Sequence, residues 1–281
     1  MGRSEVPSGS DYFTKSEADE IPEHTATVGP FALDKYEVTV GRFREFAAHY
    51  DEWHVSGGNP QPNSGRHPLA GHTGWGQSWT MAAGDLPANA EALLAVRSCD
   101  QGTWTEVAGT DSTHESYPMN CVTWFEAFAF CIWDGGRLPT EAEWEYVAAG
   151  GVLNRLYPWG ADAPDNSRLN YWGSDNSPSL VVGSKLTSGA GYFGHADLAG
   201  SVSEWVFDWY DERYYGELGG TAKACDNCAF CDDYANPTAY ARVHRGGSWS
   251  DGTSTTRAAC RGIAGPSAHN NEIGFRCARD I

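Results

Sequence analysis

Gly135-Gly136-Arg137-Leu138-Pro139-Thr140-Glu141-Ala142-Glu143-Trp144-Glu145-Tyr146 joins a tight glycine turn, a proline stop and a self-capping helix. Gly135-Gly136 suits the end of one helix, because glycine accepts the left-handed backbone found there. Thr140-Glu141-Ala142-Glu143 follows Pro139 as a capping box, in which hydroxyl and carboxylate satisfy each other's orphan amides. Upstream, Thr123-Trp124-Phe125-Glu126 has the same pattern. The two boxes predict consecutive helices over residues 123–133 and 140–149. Trp124, Phe128, Cys131 and Ile132 share the buried face of the first, and Trp144, Val147 and Ala148 that of the second. Glu141, Glu143 and Glu145 oppose the second helix's dipole and read as solvated capping carboxylates. The spacing of Glu141 and Glu145 also allows a catalytic carboxylate pair.

Working outward, Phe31 to Val38 mixes aromatic and branched residues like a strand, and Thr39 stands where a helix cap belongs. Val40, Phe43, Phe46, Ala47 and Tyr50 then recur at three- and four-residue steps, which puts them on one core-facing stripe. From His54 to Ser116 the chain is rich in Gly, Pro, Asn and Ser, with one helix-compatible run from Ala88 to Val96. Such a long loop needs a function or a staple, and Cys99 and Cys121 are candidates for the staple. Trp53, Trp75, Trp79 and Trp104 either pack this segment onto the core or line a recognition surface. Beyond residue 150, Gly, Asn, Asp, Ser and Pro punctuate short strand-like pieces such as Leu180-Val181-Val182 and Trp205 to Trp209. The expected class is α+β, irregular and loop-rich.

With 281 residues, 41% apolar and 13% aromatic, the chain can bury a large core. No linker-like composition divides it, so residues 1–281 read as one domain with a loop-rich insertion at 54–117. The formal charge of −18 argues against a nucleic-acid partner, which requires clustered cations. No apolar run approaches the roughly 20 residues that cross a bilayer. Eight cysteines, an even number, lean toward an oxidising compartment. Cys225, Cys228 and Cys231 are spaced either for disulfides, with one member reaching Cys260 and the other two pairing locally, or for metal binding with Cys260 or an external group as a fourth ligand.

Five motifs together resemble the formylglycine-generating enzyme, or sulfatase-modifying factor, family. They are the 135–146 stretch, Tyr157-Pro158-Trp159-Gly160, Asp197-Leu198-Ala199-Gly200-Ser201-Val202-Ser203-Glu204-Trp205, Arg245-Gly246-Gly247-Ser248-Trp249 and Gly274-Phe275-Arg276-Cys277. The resemblance covers about residues 20–50 and 118–281 and leaves the middle insertion unexplained. It implies an irregular fold related to C-type lectins, and a disulfide between Cys131 and Cys277. It also implies structural calcium, bound by the side chains of Asp197 and Glu204 and the carbonyls of Gly200 and Val202. A second calcium site would lie at Asn170, Tyr171 and Asp175. On spacing alone, without the resemblance, Asp197 and Glu204 read as ordinary surface acids.

In the family's oxidases two cysteines follow the glycine corner and hold copper(I) between soft thiolates. Here Ser250, Asp251, Thr255 and Thr256 occupy that stretch, and Cys260 matches a structural cysteine better. Copper, and the oxidation that makes formylglycine, are therefore not expected. Ser203 and Ser201 stand where the family often has tryptophan and asparagine. The expectation is an extracytoplasmic recognition module for a peptide, protein or glycan. Any leader would lie upstream of Met1-Gly2, a pair that follows an opening strand in the family. Its discriminating feature would be a groove lined by Trp249, Asp251, Arg257 and loop tryptophans. The alternative is an oxidative or tailoring enzyme acting on a peptide or peptide-derived metabolite, with Asp251, Arg257 or His244 as candidate catalytic residues.

Overall fold

A computed structural model describes residues 1–2, 19–71, 74–76, 86–95, 99–105, 114–174, 178–212, 214, 225–229 and 241–281. Both capping boxes form. Thr123 opens α3 (Trp124–Trp133) and Thr140 opens α4 (Glu141–Ala148), each with its reciprocal glutamate three residues on. Earlier come β1 (Ala26–Thr27), β2 (Phe31–Leu33), α1 (Val40–Tyr50) and α2 (Ala90–Ala95). Thr39 caps α1 by accepting from the Arg42 amide, and the buried face is Val40, Phe43, Phe46, Ala47 and Tyr50. α1 runs directly into a π-helical turn at Asp51–Ser56. The strand expected over 31–38 is confined to Phe31–Leu33, and Leu180-Val181-Val182 forms no strand.

After the short α5 (Leu186–Gly189) come β3 (Ser203–Trp209), β4 (Cys225–Asp226), β5 (Arg242–Arg245), β6 (Arg261–Ala264), β7 (Ile273–Phe275) and β8 (Ala278–Asp280). Four of them make a curled sheet in the order β6-β5-β3-β7, with β3 parallel to β7 and antiparallel to β5. β3 is buried along its length to Asp208 because α3 and α4 both pack against it. Trp124 ties α3 to β3, its indole donating to the Val206 carbonyl at 2.8 Å. Burying an aromatic ring of this kind contributes about 2–3 kcal/mol, and Trp124, Phe128, Phe130, Phe207 and Phe275 concentrate that contribution between α3 and the sheet. Trp75 also joins this core, while Trp53 and Trp104 pack against its edge. Trp79 lies outside the described residues.

Disulfides join Cys131 to Cys277, Cys99 to Cys121 and Cys225 to Cys228. By chain entropy the first, with a sequence separation of 146, is worth about 5 kcal/mol, and the last, with a separation of 3, about 2 kcal/mol. Cys260 is a buried free thiol, which excludes it from the bridges expected for the triplet, and Cys231 lies outside the described residues. Among the described residues no helix is long and apolar enough to cross a membrane.

Candidate functional site

The glycine corner follows β5. Gly246 and Gly247 both have positive φ (95° and 65°), which any Cβ would strain. A Cβ on Gly247 would also lie 3.0 Å from the Thr255 hydroxyl. Two backbone bonds stitch the corner to the loop before β3, Gly200 N to Gly246 O at 3.0 Å and Trp249 N to Ser201 O at 2.8 Å. Asp251 closes the turn behind it, one carboxylate oxygen accepting from the Ser248 amide (2.9 Å) and hydroxyl (2.8 Å). The Thr255 and Thr256 hydroxyls donate to Gly252 O and Thr253 O. Trp172, whose amide donates to Asp251 O, is 73% exposed beside this turn, and Trp249 is half-buried in it.

Arg257 does not join Asp251 in an open groove. It is buried, and its guanidinium grips both oxygens of Glu20 at 2.5 and 2.6 Å, a charged, hydrogen-bonded partner that offsets the hydration lost on burial. Arg257 is therefore withdrawn from the expected groove lining. His244 packs edge-on to Trp205 and against Gly262. Burial pushes its pKa down to about 4, so it is a neutral ring at pH 7. Cys260 lies beneath the corner, and burial followed by the nearby Glu20 carboxylate pushes its thiol up to about 12.

Behind the corner lies a cluster of buried carboxylates. Glu204, on β3, is held bidentately by Arg276 at 2.6 Å on each oxygen and receives the Trp144 indole N–H at 2.8 Å. Asp197 accepts from Gly183 N at 2.5 Å. Glu37 accepts from Val202 N at 3.2 Å and from the Ser201 hydroxyl at 3.3 Å. Burial raises the Glu37 pKa well above the carboxylate range, helped by the Asp197 and Glu204 charges, and burial likewise raises Asp197. Arg276 is the cation that offsets all three, leaving an excess of negative charge when they are ionised.

This excess fits a divalent cation in charge. Asp197 and the carbonyls of Gly200 and Val202 are hard oxygen donors of the kind calcium takes. Glu204 fits less well, since Arg276 and Trp144 already occupy both its oxygens. Of the second proposed set, Asn170 is fixed against the first, its carbonyl accepting from Ser201 N and its side chain from the Ser174 hydroxyl. Tyr171 N donates to the same hydroxyl, and Asp175 lies outside the described residues. Asp34 and Asp134 also approach Cys277, but Arg42 and Arg279 each bridge the two carboxylates and Cys277 is in a disulfide.

The α4 glutamates differ most from their sequence reading. Glu141, Glu143 and Glu145 are at most 2% exposed, not solvated. Arg261 and Arg245 hold Glu141, Arg245 holds Glu145 at 2.5 Å, and Arg137 holds Glu143 bidentately at 2.7 Å. Fully paired in this way, Glu141 and Glu145 anchor α4 to the corner and are not a catalytic pair.

The model of the sulfatase-modifying factor enzyme 1-like domain matches residues 2–281. The chain belongs to that family. The formylglycine-generating enzyme of Streptomyces coelicolor is 31% identical, over 93% of this chain and 82% of that protein. The inactive C-alpha-formylglycine-generating enzyme 2 of Bos taurus is 29% identical, over 92% and 80%. Serine/threonine-protein kinase Pkn1 of Chlamydia trachomatis is 36% identical over 60% of this chain, which spans only 25% of the kinase. The structure of PvdO from Pseudomonas aeruginosa superimposes with a TM-score of 0.59 at 22% identity, over 98% of this chain and 89% of that one. That likeness establishes the C-type-lectin-like fold of the sulfatase-modifying factors. Sequence reasoning had passed over Glu37 and Glu20. Glu37 carried a faint signal as the lone acid between Tyr36 and Val38, whereas nothing near Glu20 marks it.

Proposed function

We propose that this sulfatase-modifying factor domain is an extracytoplasmic recognition module that does not make formylglycine. The side-chain set behind the glycine corner carries the reading: Ser250, Asp251, Thr255 and Thr256 offer only oxygen. Copper(I) prefers thiolates, and Asp251 is already committed to Ser248. The next thiol along the chain, Cys260, stays protonated at neutral pH and is buried. A relative named as inactive, matched over 92% of this chain and 80% of its own length, supports a frame that outlives its reaction. Calcium at Asp197, Gly200, Val202 and Glu204 would brace the loops, with Glu37 adding to the field that attracts it. Three disulfides favour an oxidising compartment.

The ligand is a peptide, protein or glycan meeting the face that presents Trp172, Trp249 and Asp251. Tryptophan supplies large contact area with a polar handle. The test is incubation of the purified protein with copper(I), oxygen and a cysteine-containing sulfatase peptide, followed by mass spectrometry. The peptide is expected to keep its mass. Conversion of its cysteine to the aldehyde overturns the reading, and any other stoichiometric modification favours the tailoring-enzyme alternative.

A further inference from the structure

We propose that the Cys225–Cys228 disulfide is a redox-sensitive latch on the wall of a surface pocket, released by exchange with a dithiol. The pocket holds about 230 Å³ between α4 and the segment running into β1. Ala26 and Val28 form one wall, and Tyr146, Ala149 and Val152 the other. The Ala26–Val28 wall has little of its own to hold it. β1 is two residues long, and its partner in a two-stranded parallel sheet is β4, also two residues long.

Among the described residues, the hydrogen bonds that fasten β4 to this wall lie within the span of the disulfide. Cys225 N donates to Thr25 O at 3.3 Å, and Asn227 N to Thr27 O at 2.8 Å. The Asn227 side-chain oxygen accepts from Gly29 N at 2.6 Å. Asn227 sits at a φ of 47°, in the left-handed region, directly between the bridged cysteines. Reduction removes the covalent constraint on that conformation and leaves it to the Asn227 hydrogen bonds alone. The Gly29 and Thr27 contacts are lost together when Asn227 turns away.

The same bridge opens at the least cost to the fold. It encloses two residues, so by chain entropy it contributes least to the stability of the folded state, and its loss leaves the rest of the structure in place. Cys228 is half-buried, whereas Cys131 and Cys277 are both fully buried. In the exchange a thiolate of the dithiol attacks the Cys228 sulfur, forming a mixed disulfide and expelling Cys225 sulfur, which takes up a proton. The reductant's second thiol then attacks its own sulfur in the mixed disulfide, closes the oxidised reductant and releases Cys228, which is protonated in turn. Two electrons pass from the dithiol to the protein, and no other reactant is needed. This latch is independent of the recognition reading.

The test starts with the folded protein and its free thiols blocked with N-ethylmaleimide. Dithiothreitol is then titrated in, newly exposed thiols are labelled with isotopic iodoacetamide, and labelling is mapped by mass spectrometry alongside amide hydrogen exchange. Cys225 and Cys228 are expected to label at a reductant concentration at least tenfold below that needed for Cys131 and Cys277. Exchange at residues 26–29 should rise at least tenfold over the same range while α3 stays protected. A Cys225→Ser/Cys228→Ser variant should show the fast exchange without reductant. If that variant does not fold, the wild-type titration decides alone. The latch is refuted if Cys225–Cys228 opens no earlier than Cys131–Cys277, or if it opens and exchange at 26–29 is unchanged.

Discussion

Glu143→Gln should cost the protein about 3 kcal/mol at neutral pH and nothing near pH 2. The wild-type carboxylate accepts from Arg137 at 2.7 Å on each oxygen, from His67 at 3.2 Å and from the Thr140 amide at 2.8 Å. Burial alone would raise its pKa, but the Arg137 and His67 hydrogen bonds and the Arg137 charge outweigh burial and hold it at about 2. Against an ordinary value near 4.3, at about 1.4 kcal/mol per pH unit, the pairing contributes about 3 kcal/mol. Because the folded pKa is depressed, that stability is fully present above pH ~4.5 and disappears as pH falls toward ~2. Glutamine keeps an acceptor for the capping box but loses the charge, leaving Asp280 at 3.0 Å as the anion beside Arg137. The assay is urea denaturation of both proteins at intervals from pH 7 to pH 2, taken as a difference so that other acids cancel. A difference below about 1 kcal/mol at pH 7, or one that persists unchanged at pH 2.5, would refute the pairing as the source of the shift.

Glu37 and Asp197 should behave in the opposite sense. Their raised pKa values mean that the folded state holds protons more tightly, so in calcium-free buffer their contribution to stability falls as pH rises from ~5 to 7. Glu37→Gln is expected to raise the calcium-free melting temperature at pH 7 and flatten that slope, and calcium should do the same to wild type. A melting temperature indifferent to both calcium and chelator would count against the ion. Loss of the Cys131–Cys277 bridge in a double serine variant should cost about 5 kcal/mol. For a chain of this size that is a fall of roughly 8 °C by calorimetry, and one under about 2 °C would contradict the loop-closure argument.

Much of the frame was legible because its instructions are local. The reciprocal Thr123/Glu126 and Thr140/Glu143 contacts span three residues each, so the sequence carries both partners side by side. The apolar stripe of α1 is equally local, a matter of helical period. The strand expected over 31–38 was overextended because the local preference for strand does not reveal where a pairing partner ends. β8 supplies partners only for Phe31 to Leu33. The carboxylates were misread for a related reason. Arg245 lies 100 residues from Glu145, Arg261 120 residues from Glu141, and Arg257 237 residues from Glu20. A glutamate in the first turn of a helix looks solvated until a distant arginine is brought against it.

The sequence by itself determined the helices, their caps, the glycine corner and the family, since each rests on neighbouring residues whose backbone demands do not depend on the rest of the chain. It also determined that Ser250, Asp251, Thr255 and Thr256, and no thiol, follow that corner. Only the tertiary structure decided which charges are neutralised and which remain in excess. It turned Arg257 inward to Glu20 and made α4 an ion-paired strut. It also gathered Glu37, Asp197 and Glu204 around the single guanidinium of Arg276. Electrostatic energy depends on distance and burial, and the fold sets both.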